Sequence, residues 1–310
     1  MEIRHFRYFV HVAEELHFGR AAKRLGVSQP PLSQQIQVLE NEIGARLFER
    51  TNRRVELTEV GRLFLPEARA VLEQAAHAVA VARRAHRGEI GEMTIGITAS
   101  APFTGAVSKA ILEFRHGYPD VRLTMNEMPS PSQIQEVAAG SLQAGFIRGA
   151  QLPDLPAGVS ATEIHEDLLV LVLREDHPLA QTGKPISMKQ LKDEPFVFYA
   201  RGLGAGFHEQ LLALCHAAGF EPKIAQEVHE LSTLLGLVAA GLGITTVAAS
   251  LQALRVEHVV YRPLDAPGAS AKMWLIHNEK KTSPSCKAFI KLVLQHHGQT
   301  ADSSVLLPVK

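Results

Sequence analysis

Apolar residues recur at helical spacing in three successive segments at the start of the chain, which predicts three amphipathic helices. The first helix, from Glu2 to Leu16, has one apolar face: Ile3, Phe6, Phe9, Val10, Ala13 and Leu16. The second begins at Phe18 and ends at Gly26, with three inward-facing residues: Ala21, Ala22 and Leu25. A helix, a short glycine-containing turn and a further helix form the helix-turn-helix pattern, in which paired alanines allow close helix approach.

The third segment, Ser28 to Ile43, is predicted to expose hydrogen-bonding side chains. Ser28 can cap this helix, and Pro30 and Pro31 fit its first turn, where no intrahelical N–H donor is needed. Four residues form the buried stripe: Leu32, Ile36, Leu39 and Ile43. The other face, with Gln29 and the prolines at its tip, carries hydroxyl and amide groups: Ser33, Gln34, Gln37 and Asn41. Such groups suit base edges in a major groove, although an isolated amphipathic helix more often only covers a core.

A basic turn follows the third helix. Leu47 and Phe48 are expected to enter the core, and polar and basic residues crowd the turn between two short extended pieces: Arg50, Thr51, Asn52, Arg53 and Arg54. A charge cluster is usually a solvated turn, but beside a helix-turn-helix it is typical of a wing that contacts DNA phosphates or a minor groove. The residues predicted to bind DNA are Gln29, Pro30, Pro31, Ser33, Gln34, Gln37, Arg50, Arg53 and Arg54.

A long helix is predicted from Thr58, which can cap it, to about Arg87. Its apolar residues are spaced alternately by four and three, as in a coiled-coil seam: Phe64, Ala68, Val71, Ala75, Ala78 and Ala82. The helix could also pack on its own domain, but a seam this regular, without breaks, favours dimerisation with a second chain. Gly88 and Gly91 then mark a domain boundary.

From Met93 onwards, strand-like runs alternate with helical segments. The predicted strands are 93–98, 121–127, 144–148, 168–173, 196–199, 243–247 and 273–278. The predicted helices are 103–116, 132–140, 207–218, 231–240 and 283–296. This alternation predicts an α/β region of open parallel sheets with helices on both faces. Its length favours two lobes with a cleft between them.

Composition narrows the classes of function. The chain has 46% hydrophobic and 21% charged residues, and its 32 basic and 32 acidic residues give a net charge of zero. Contact with nucleic acid must therefore come from a local patch. Cys215 and Cys286 show neither metal-ligand spacing nor a disulfide framework, and we expect no metal and no cofactor. Without a signal peptide or membrane-spanning run, a cytoplasmic protein is expected.

The chain resembles the LysR-type transcriptional regulators over nearly its whole length. The likeness is carried by RHFRYFVHVAEELHFGRAAKRLGVSQPPLSQQIQVLENEIGARLFER, by the threonine-capped helix and by LVAAGLGIT, from Leu237 to Thr245. RHFRYFV, SQPPLSQQI and QEV…LGLVAAGLGI are most similar to the branch that controls aromatic-acid and muconate catabolism. Many members carry an arginine where this chain has Gln34, which removes one possible guanine or phosphate contact.

The resemblance implies a domain organisation. We expect an all-α-dominated winged helix-turn-helix at 1–58, a dimerising linker helix at 59–90 and a two-lobed, periplasmic-binding-protein-like effector domain at 91–300. Its first lobe would comprise 91–162 and 268–300, its second 163–267, and 301–310 would be a mobile tail. The family's usual assembly is a tetramer, a dimer of dimers, which binds promoter DNA and activates transcription by RNA polymerase.

The resemblance also implies an inducer between the lobes, expected to be a carboxylate, aromatic or muconate-like. Ser100 follows the first strand, Ser130 begins the second helix, Arg148 ends the third strand, and Phe207 enters the second lobe. Hydroxyls and helix-start N–H groups can bind a carboxylate, with Arg148 as a charged partner. Alternatively, the serines cap helices and Arg148 forms a structural ion pair.

Three classes of function remain. A ligand-responsive transcription factor, whose inducer could also belong to a non-aromatic pathway, fits all the features above. A less specific architectural DNA-binding protein is disfavoured by the zero net charge. An enzyme is disfavoured because no nucleophile elbow and no acid/base pair is found.

Overall fold

The computed structural model describes residues 1–50, 54–201 and 206–297, and the chain divides into two compact units after Arg84. Arg53 and the tail predicted to be mobile, 301–310, lie outside the described residues. Each unit is described by itself. No helix among the described residues is both long enough and apolar enough to cross a membrane.

The first unit is a three-helix core with a two-stranded hairpin and the start of a long helix. Its elements are α1 (Ile3–Glu15), α2 (Phe18–Leu25), α3 (Gln29–Ile43), β1 (Phe48–Arg50), β2 (Val55–Leu57) and α4 (Glu59–His86). The predicted helix-turn-helix is confirmed: Gly26 ends α2 in the left-handed conformation, with φ of +70°. The hairpin is antiparallel, with Phe48 opposite Leu57.

The buried face of α1 differs from the predicted one at both ends. Phe9, Val10 and Ala13 are buried as expected, but Ile3 is 50% exposed and Leu16 is 46% exposed. Leu16 lies beyond the last helical residue with φ of +45°, so it leaves the helical face. In their place His5 is buried, and its Nε2 lies 2.8 Å from Gln35 Oε1 on α3.

The N-terminal part of α4 packs on its own unit. Thr58 Oγ1 accepts a hydrogen bond from Gly61 N at 2.9 Å, which confirms the predicted cap. The Phe64 ring lies 5.1 Å from that of Phe9, and Ala68 is fully buried. Both residues therefore pack on the core of their own unit. The helix is continuous from Glu59 to His86, as predicted, although it contains Pro66, which cannot donate an intrahelical hydrogen bond.

The second unit contains a mixed sheet, not the predicted parallel sheets. The strands are β3 (Ile90–Ile97), β4 (Asp120–Glu127), β5 (Ala144–Gly149), β6 (Val159–Arg174), β7 (Ile186–Ser187), β8 (Pro195–Tyr199), β9 (Lys223–Val228), β10 (Thr245–Ala248), β11 (Val259–Asp265) and β12 (Ser270–Asn278). Eight of them form one sheet, with β4-β3-β5-β12-β6-β11-β7 in order and β10 also on β6. β3 is parallel to β4 and β5, whereas β6 is antiparallel to β10, β11 and β12. The direction first reverses at β12, which is antiparallel to both of its neighbours, β5 and β6, so β6 runs the same way as β3, β4 and β5.

Helices cover both faces of two lobes, as predicted. The helices are α5 (Gly105–Gly117), α6 (Ser130–Ala139), α7 (Phe207–Ala217), α8 (Leu231–Ala239) and α9 (Pro284–Gln295). In the first lobe, α5 and α9 meet through Phe114 and Phe289, and α6 packs on the other face beside Trp274. In the second lobe, α7 and β8 share a core around Phe198. The strand β9 pairs with β8 in a separate parallel sheet, and its Val228 joins the core on the opposite side, where α8 buries Leu234.

Candidate functional site

The exposed face of α3 carries the side chains predicted to read DNA bases. Leu32, Ile36 and Leu39 are buried in the core of the unit, which fixes the rotation of the helix. The side chains on the opposite face and at the helix tip are exposed: Gln29, Pro30, Pro31, Gln34 and Gln37. Ser28 occupies the cap position, but its side chain makes no capping hydrogen bond. The helix therefore presents amide groups from a fixed position.

Arg50 lies at the centre of a cluster that joins α2, α3 and the hairpin. Its guanidinium donates to Ser33 Oγ at 3.0 Å and to Glu40 Oε2 at 3.1 Å. The same guanidinium covers the Phe18 ring at 4.7 Å from the ring centre. We call these four residues, Phe18, Ser33, Glu40 and Arg50, the Arg50 cluster. The predicted DNA contacts Arg50 and Ser33 are thus partners of one another.

Glu40 has a role that the sequence did not reveal. Its Oε1 accepts hydrogen bonds from the backbone N–H groups of Leu47, at 2.8 Å, and Phe48, at 3.1 Å. Its carboxylate thus satisfies two backbone donors while pairing with Arg50, so it holds the start of the hairpin against α3.

Of the two other arginines predicted in the wing, the structure describes one. The Arg54 side chain is 81% exposed and lies 3.9 Å from Glu56. Arg53 lies outside the described residues.

A cavity of about 340 Å³ opens at the carboxyl ends of β3, β4, β8 and β9, between the two lobes. We call it the small cavity. Its lining residues are Thr98, Ala99, Ser100, Glu127, Met128, Pro129, Tyr199, Phe207, His229, Glu230, Leu231, Val247 and Leu251. The position agrees with the general rule that open α/β sheets bind ligands at the carboxyl ends of their strands.

Polar groups line one part of the small cavity and carboxylates another. Ser100 and Thr98 are buried, and their hydroxyl oxygens lie 3.5 Å apart. Burial, with the charges of Glu230 and Glu127, raises the pKa of Tyr199, so its hydroxyl stays protonated and can donate to a ligand.

A larger cavity of about 990 Å³ lies between α6, the segment after β5 and α7. We call it the large cavity. It is lined by Ser130 and Arg148 together with mainly apolar residues such as Ile134, Pro153 and Leu214. Ser130 Oγ accepts a hydrogen bond from Arg148 N at 3.1 Å and lies 3.3 Å from Arg148 O. Its hydroxyl is therefore already used within the protein.

Arg148 forms a buried ion pair with Asp167. The Arg148 side chain is fully buried, and its guanidinium donates to Asp167 Oδ2 at 2.7 Å and to Thr104 Oγ1 at 3.1 Å. Asp167 Oδ1 also accepts from Ser250 N at 3.2 Å and lies 3.3 Å from His165 Nε2. Burial alone would raise the pKa of Asp167, but the hydrogen bonds from His165 and Arg148 and the charge of Arg148 lower it to about 2. These contacts fit the alternative reading of Arg148, in which it forms a structural ion pair and does not bind the inducer.

The four predicted effector residues fall into two groups. Ser100 and Phe207 line the small cavity, whereas Ser130 and Arg148 line the large one. Five polar residues of the small cavity were missed: Thr98, Glu127, Tyr199, His229 and Glu230. A usable signal existed for Thr98, Glu127 and Tyr199, because each ends a strand that the sequence predicts. It did not exist for His229 and Glu230, which follow β9, a strand without an alternating pattern.

Metal and thiol chemistry find no support in the described part of the chain. The described residues contain no group of three or more His, Cys, Asp or Glu side chains placed to hold a metal ion. Cys215 and Cys286 are buried. Burial raises both thiol pKa values to about 12, with the charge of Glu221 contributing at Cys215. Neither thiol is a reactive thiolate at neutral pH.

Two family models match the chain, one on each side of the division after Arg84. Residues 3–62 match the model described as "Bacterial regulatory helix-turn-helix protein, lysR family", and residues 86–298 match "LysR substrate binding domain". The chain belongs to the LysR family of transcriptional regulators. The implied fold, a helix-turn-helix unit followed by a two-lobed substrate-binding unit, is thereby confirmed.

Relatives of this LysR-family regulator match over almost its full length. YnfL of Escherichia coli K12, described as an uncharacterized HTH-type transcriptional regulator, is 44% identical over 93% of this chain and 96% of its own. AlsR of Bacillus subtilis is 35% identical over 98% of this chain and 99% of its own. The crystal structure of full-length CbnR with its target DNA has a TM-score of 0.80 at 29% identity, covering 95% of this chain and 99% of that one. These relatives are regulators and not enzymes, and CbnR binds DNA.

Proposed function

We propose that this LysR-family regulator reads promoter DNA with α3 and the β1–β2 wing, and binds its effector in the small cavity. The observation that carries the proposal is the row of exposed amides on α3, held over a fully buried stripe in a unit that matches the family's DNA-binding model. A cavity at the carboxyl ends of the strands in the substrate-binding unit supports the second half.

Within the DNA interface, we assign different roles to different side chains. Gln29, Gln34 and Gln37 read base edges, because exposed amides can both donate and accept hydrogen bonds there. Arg53 and Arg54 bind phosphates, and Pro30 and Pro31 shape the helix tip. Arg50 instead orients Ser33 and the wing through the Arg50 cluster, since its donors already have partners.

Assembly is proposed to use the exposed part of α4. Val71 is 40% exposed, Ala78 and Ala82 are exposed, and Ala75 is half-buried. A dimer through this surface would present two recognition helices to two half-sites, and a dimer of dimers would form the tetramer. Activation through RNA polymerase in the cytoplasm would follow from promoter binding.

The inducer class expected from the resemblance is an aromatic or muconate-like carboxylate. Its support is the likeness of RHFRYFV and SQPPLSQQI to that branch of the family; neither YnfL nor AlsR is named for an aromatic pathway. Such a ligand would rely on Ser100 and on backbone N–H groups, because Arg148 is paired with Asp167. The charges around the small cavity favour another chemical class.

The DNA-binding half is tested by selecting duplexes from a random pool with the full chain. A sequence-specific regulator should enrich one motif, and a dimer should enrich it as two related half-sites. Enrichment without any motif, combined with strong loss of binding in salt, would instead support the architectural alternative.

Two variants then test the division of roles on the selected duplex. Gln37→Ala should relax the preference at one base position, with a cost of about 1–3 kcal/mol on the preferred sequence only. Arg54→Ala should weaken all sequences alike and reduce the slope of log affinity against log salt by about one. Competition binding at several salt concentrations measures both effects, and identical profiles for the two variants would contradict the assignment.

A further inference from the structure

The charged residues that line the small cavity are acidic. Glu127 ends β4 in the first lobe, and Glu230 occupies the cap position of α8 in the second lobe. The two residues thus line one cavity of about 340 Å³, one from each lobe. Both side chains are exposed, and among the described residues neither has an ion-pair partner.

The described residues that line the small cavity offer these carboxylates no fixed positive charge. The described lining residues include no lysine and no arginine. The buried Arg148 is neutralised by Asp167. Of the described lining residues, His229 is the one that can offset a carboxylate, and only when it is protonated.

The rest of the lining fixes the size and polarity of a ligand. Phe207, Leu231, Val247 and Leu251 offer an apolar wall, while Thr98 and Ser100 offer buried hydroxyls. A volume of about 340 Å³ lies at the lower end of the range for small-molecule sites. The cavity therefore suits a small metabolite with an apolar body and polar ends.

Charge complementarity then selects the chemical class of that metabolite. Two carboxylates that face each other across a cleft repel as the lobes approach, and a cation between them removes the repulsion. A ligand whose only charge is negative would meet like charges from both walls.

We infer that the effector of this regulator carries a protonated nitrogen, an aliphatic ammonium group that lies between Glu127 and Glu230. The inference rests on the proposed function, which assigns the small cavity as the effector site. It names the class of ligand and includes both simple amines and amino acids, since each supplies the ammonium group.

The test uses the full chain at pH 8, where little histidine is protonated, and ligands matched in skeleton. One set is 1,4-diaminobutane, 4-aminobutanoate and succinate; a second is benzylamine, phenylalanine and benzoate. At least one ammonium-bearing member should raise the melting temperature, because binding to the folded state stabilises it. Succinate and benzoate should not. Within each set, the simple amine and the amino acid separate the two sources of the ammonium group.

Variants then place the ammonium group in the cavity. For the amine that binds, Glu127→Gln and Glu230→Gln should each weaken the affinity about tenfold or more, measured by calorimetry, because each removes a charge-assisted hydrogen bond. Glu209→Gln is the matched control, since Glu209 lines the large cavity and its loss should leave the affinity unchanged.

Three outcomes would overturn the inference: binding of the acids alone, binding of no amine in either set, or amine binding that responds to Glu209→Gln and not to Glu127→Gln or Glu230→Gln. Acid binding that is lost in Ser100→Ala would refute the ammonium group but support the small cavity as the effector site. Failure of the proposed function is a separate result, because it appears as the absence of an enriched motif in the DNA selection.

Discussion

The guanidinium of Arg50 makes its contacts inside the DNA-binding unit. Its two hydrogen bonds, to Ser33 and Glu40, and its position over the Phe18 ring connect three elements through one planar group. Lysine cannot reproduce a fork of donors or cover a ring in the same way. The Arg50 side chain is 34% exposed, so solvent weakens the electrostatic attraction between Arg50 and Glu40. The hydrogen bonds and the position over the ring are kept.

Arg50→Lys should therefore destabilise the first unit while leaving its electrostatic attraction to DNA unchanged. We expect the free energy of unfolding of the first unit to fall by about 1–2 kcal/mol. The slope of log DNA affinity against log salt should stay unchanged. Urea unfolding and salt titration measure the two quantities, with Arg54→Lys as a control that should not affect stability. Because lysine keeps the positive charge, a second variant, Arg50→Gln, tests phosphate binding: a slope reduced by about one would return Arg50 to the phosphate-binding residues.

Asp167 gives a stability that depends on pH. Its pKa falls from 3.8 in the unfolded chain to about 2 in the folded one. A lowered folded-state pKa means that the stabilisation is complete above the unfolded value and is lost as the pH falls through the folded value. The contribution corresponds to about 2 kcal/mol.

The check compares the wild type with Asp167→Asn. Near neutral pH the variant should be less stable by about 3–5 kcal/mol, because Arg148 is left buried without a counter-charge. The difference in the free energy of unfolding between the wild type and the variant should shrink by about 2 kcal/mol as the pH falls from 4 towards 2. Asp176→Asn is the control, since the Asp176 side chain is 65% exposed beside Arg174. If this difference in stability stayed constant with pH, the ion pair between Asp167 and Arg148 would not lower the pKa of Asp167, and the prediction would be wrong.

At the scale of elements, α4 has two different parts. Its start packs on the first unit through Phe64 and Ala68, whereas Val71, Ala78, Val79 and Ala82 are exposed on the single chain. Exposed apolar residues on one helix favour contact with a second helix.

Ala78→Glu should therefore dissociate the proposed dimer, because a charge would be buried where alanines allow close approach. Ala80→Glu makes the same change on the opposite side of α4, where the residue is also exposed, and should leave the assembly intact. Sedimentation velocity over a range of concentrations measures the effect. Equal behaviour of the two variants would place the interface elsewhere.

Elements with a clear pattern were predictable, and those without one were not. The helices of the first unit and α5 to α9 have apolar stripes, and the buried strands have apolar runs. The strand β9, KIAQEV, is exposed at five of its six positions, and β11, VVYRPLD, is partly buried at almost every position. Neither strand alternates, so period-two reasoning could not detect them.

The sites were less predictable because they depend on pairings that are remote in sequence. Arg148 lies opposite Met273 on β12, and Ala271 of the same strand lies opposite Asp167 on β6. No local sequence pattern predicts that Arg148 forms an ion pair with Asp167. Glu127 and Glu230 likewise come together only because two separate strand ends meet at one cleft.

For the whole molecule, the proposed function requires DNA and effector binding to be coupled. If the effector changes the DNA affinity by some factor, DNA must change the effector affinity by the same factor. We expect this equality for the amine identified above, with a coupling of about 5–150-fold. Calorimetric titration of the amine with and without the selected duplex, and of the duplex with and without the amine, measures both factors. A factor of one in both titrations would mean that DNA binding and effector binding are not coupled.

The Arg50 cluster also bears on how such a regulator can acquire new target genes. Phe18, Glu40 and Arg50 support the recognition helix from behind, whereas Gln29, Gln34 and Gln37 face outward and take no part in that support. Drift at the three glutamines can therefore redirect the protein to another operator while the scaffold is inherited unchanged. Ser33 is the exception, because it is a predicted DNA contact that also accepts a hydrogen bond from Arg50. A synthetic sensor with a reassigned promoter is best built by randomising the glutamines and keeping Ser33 fixed.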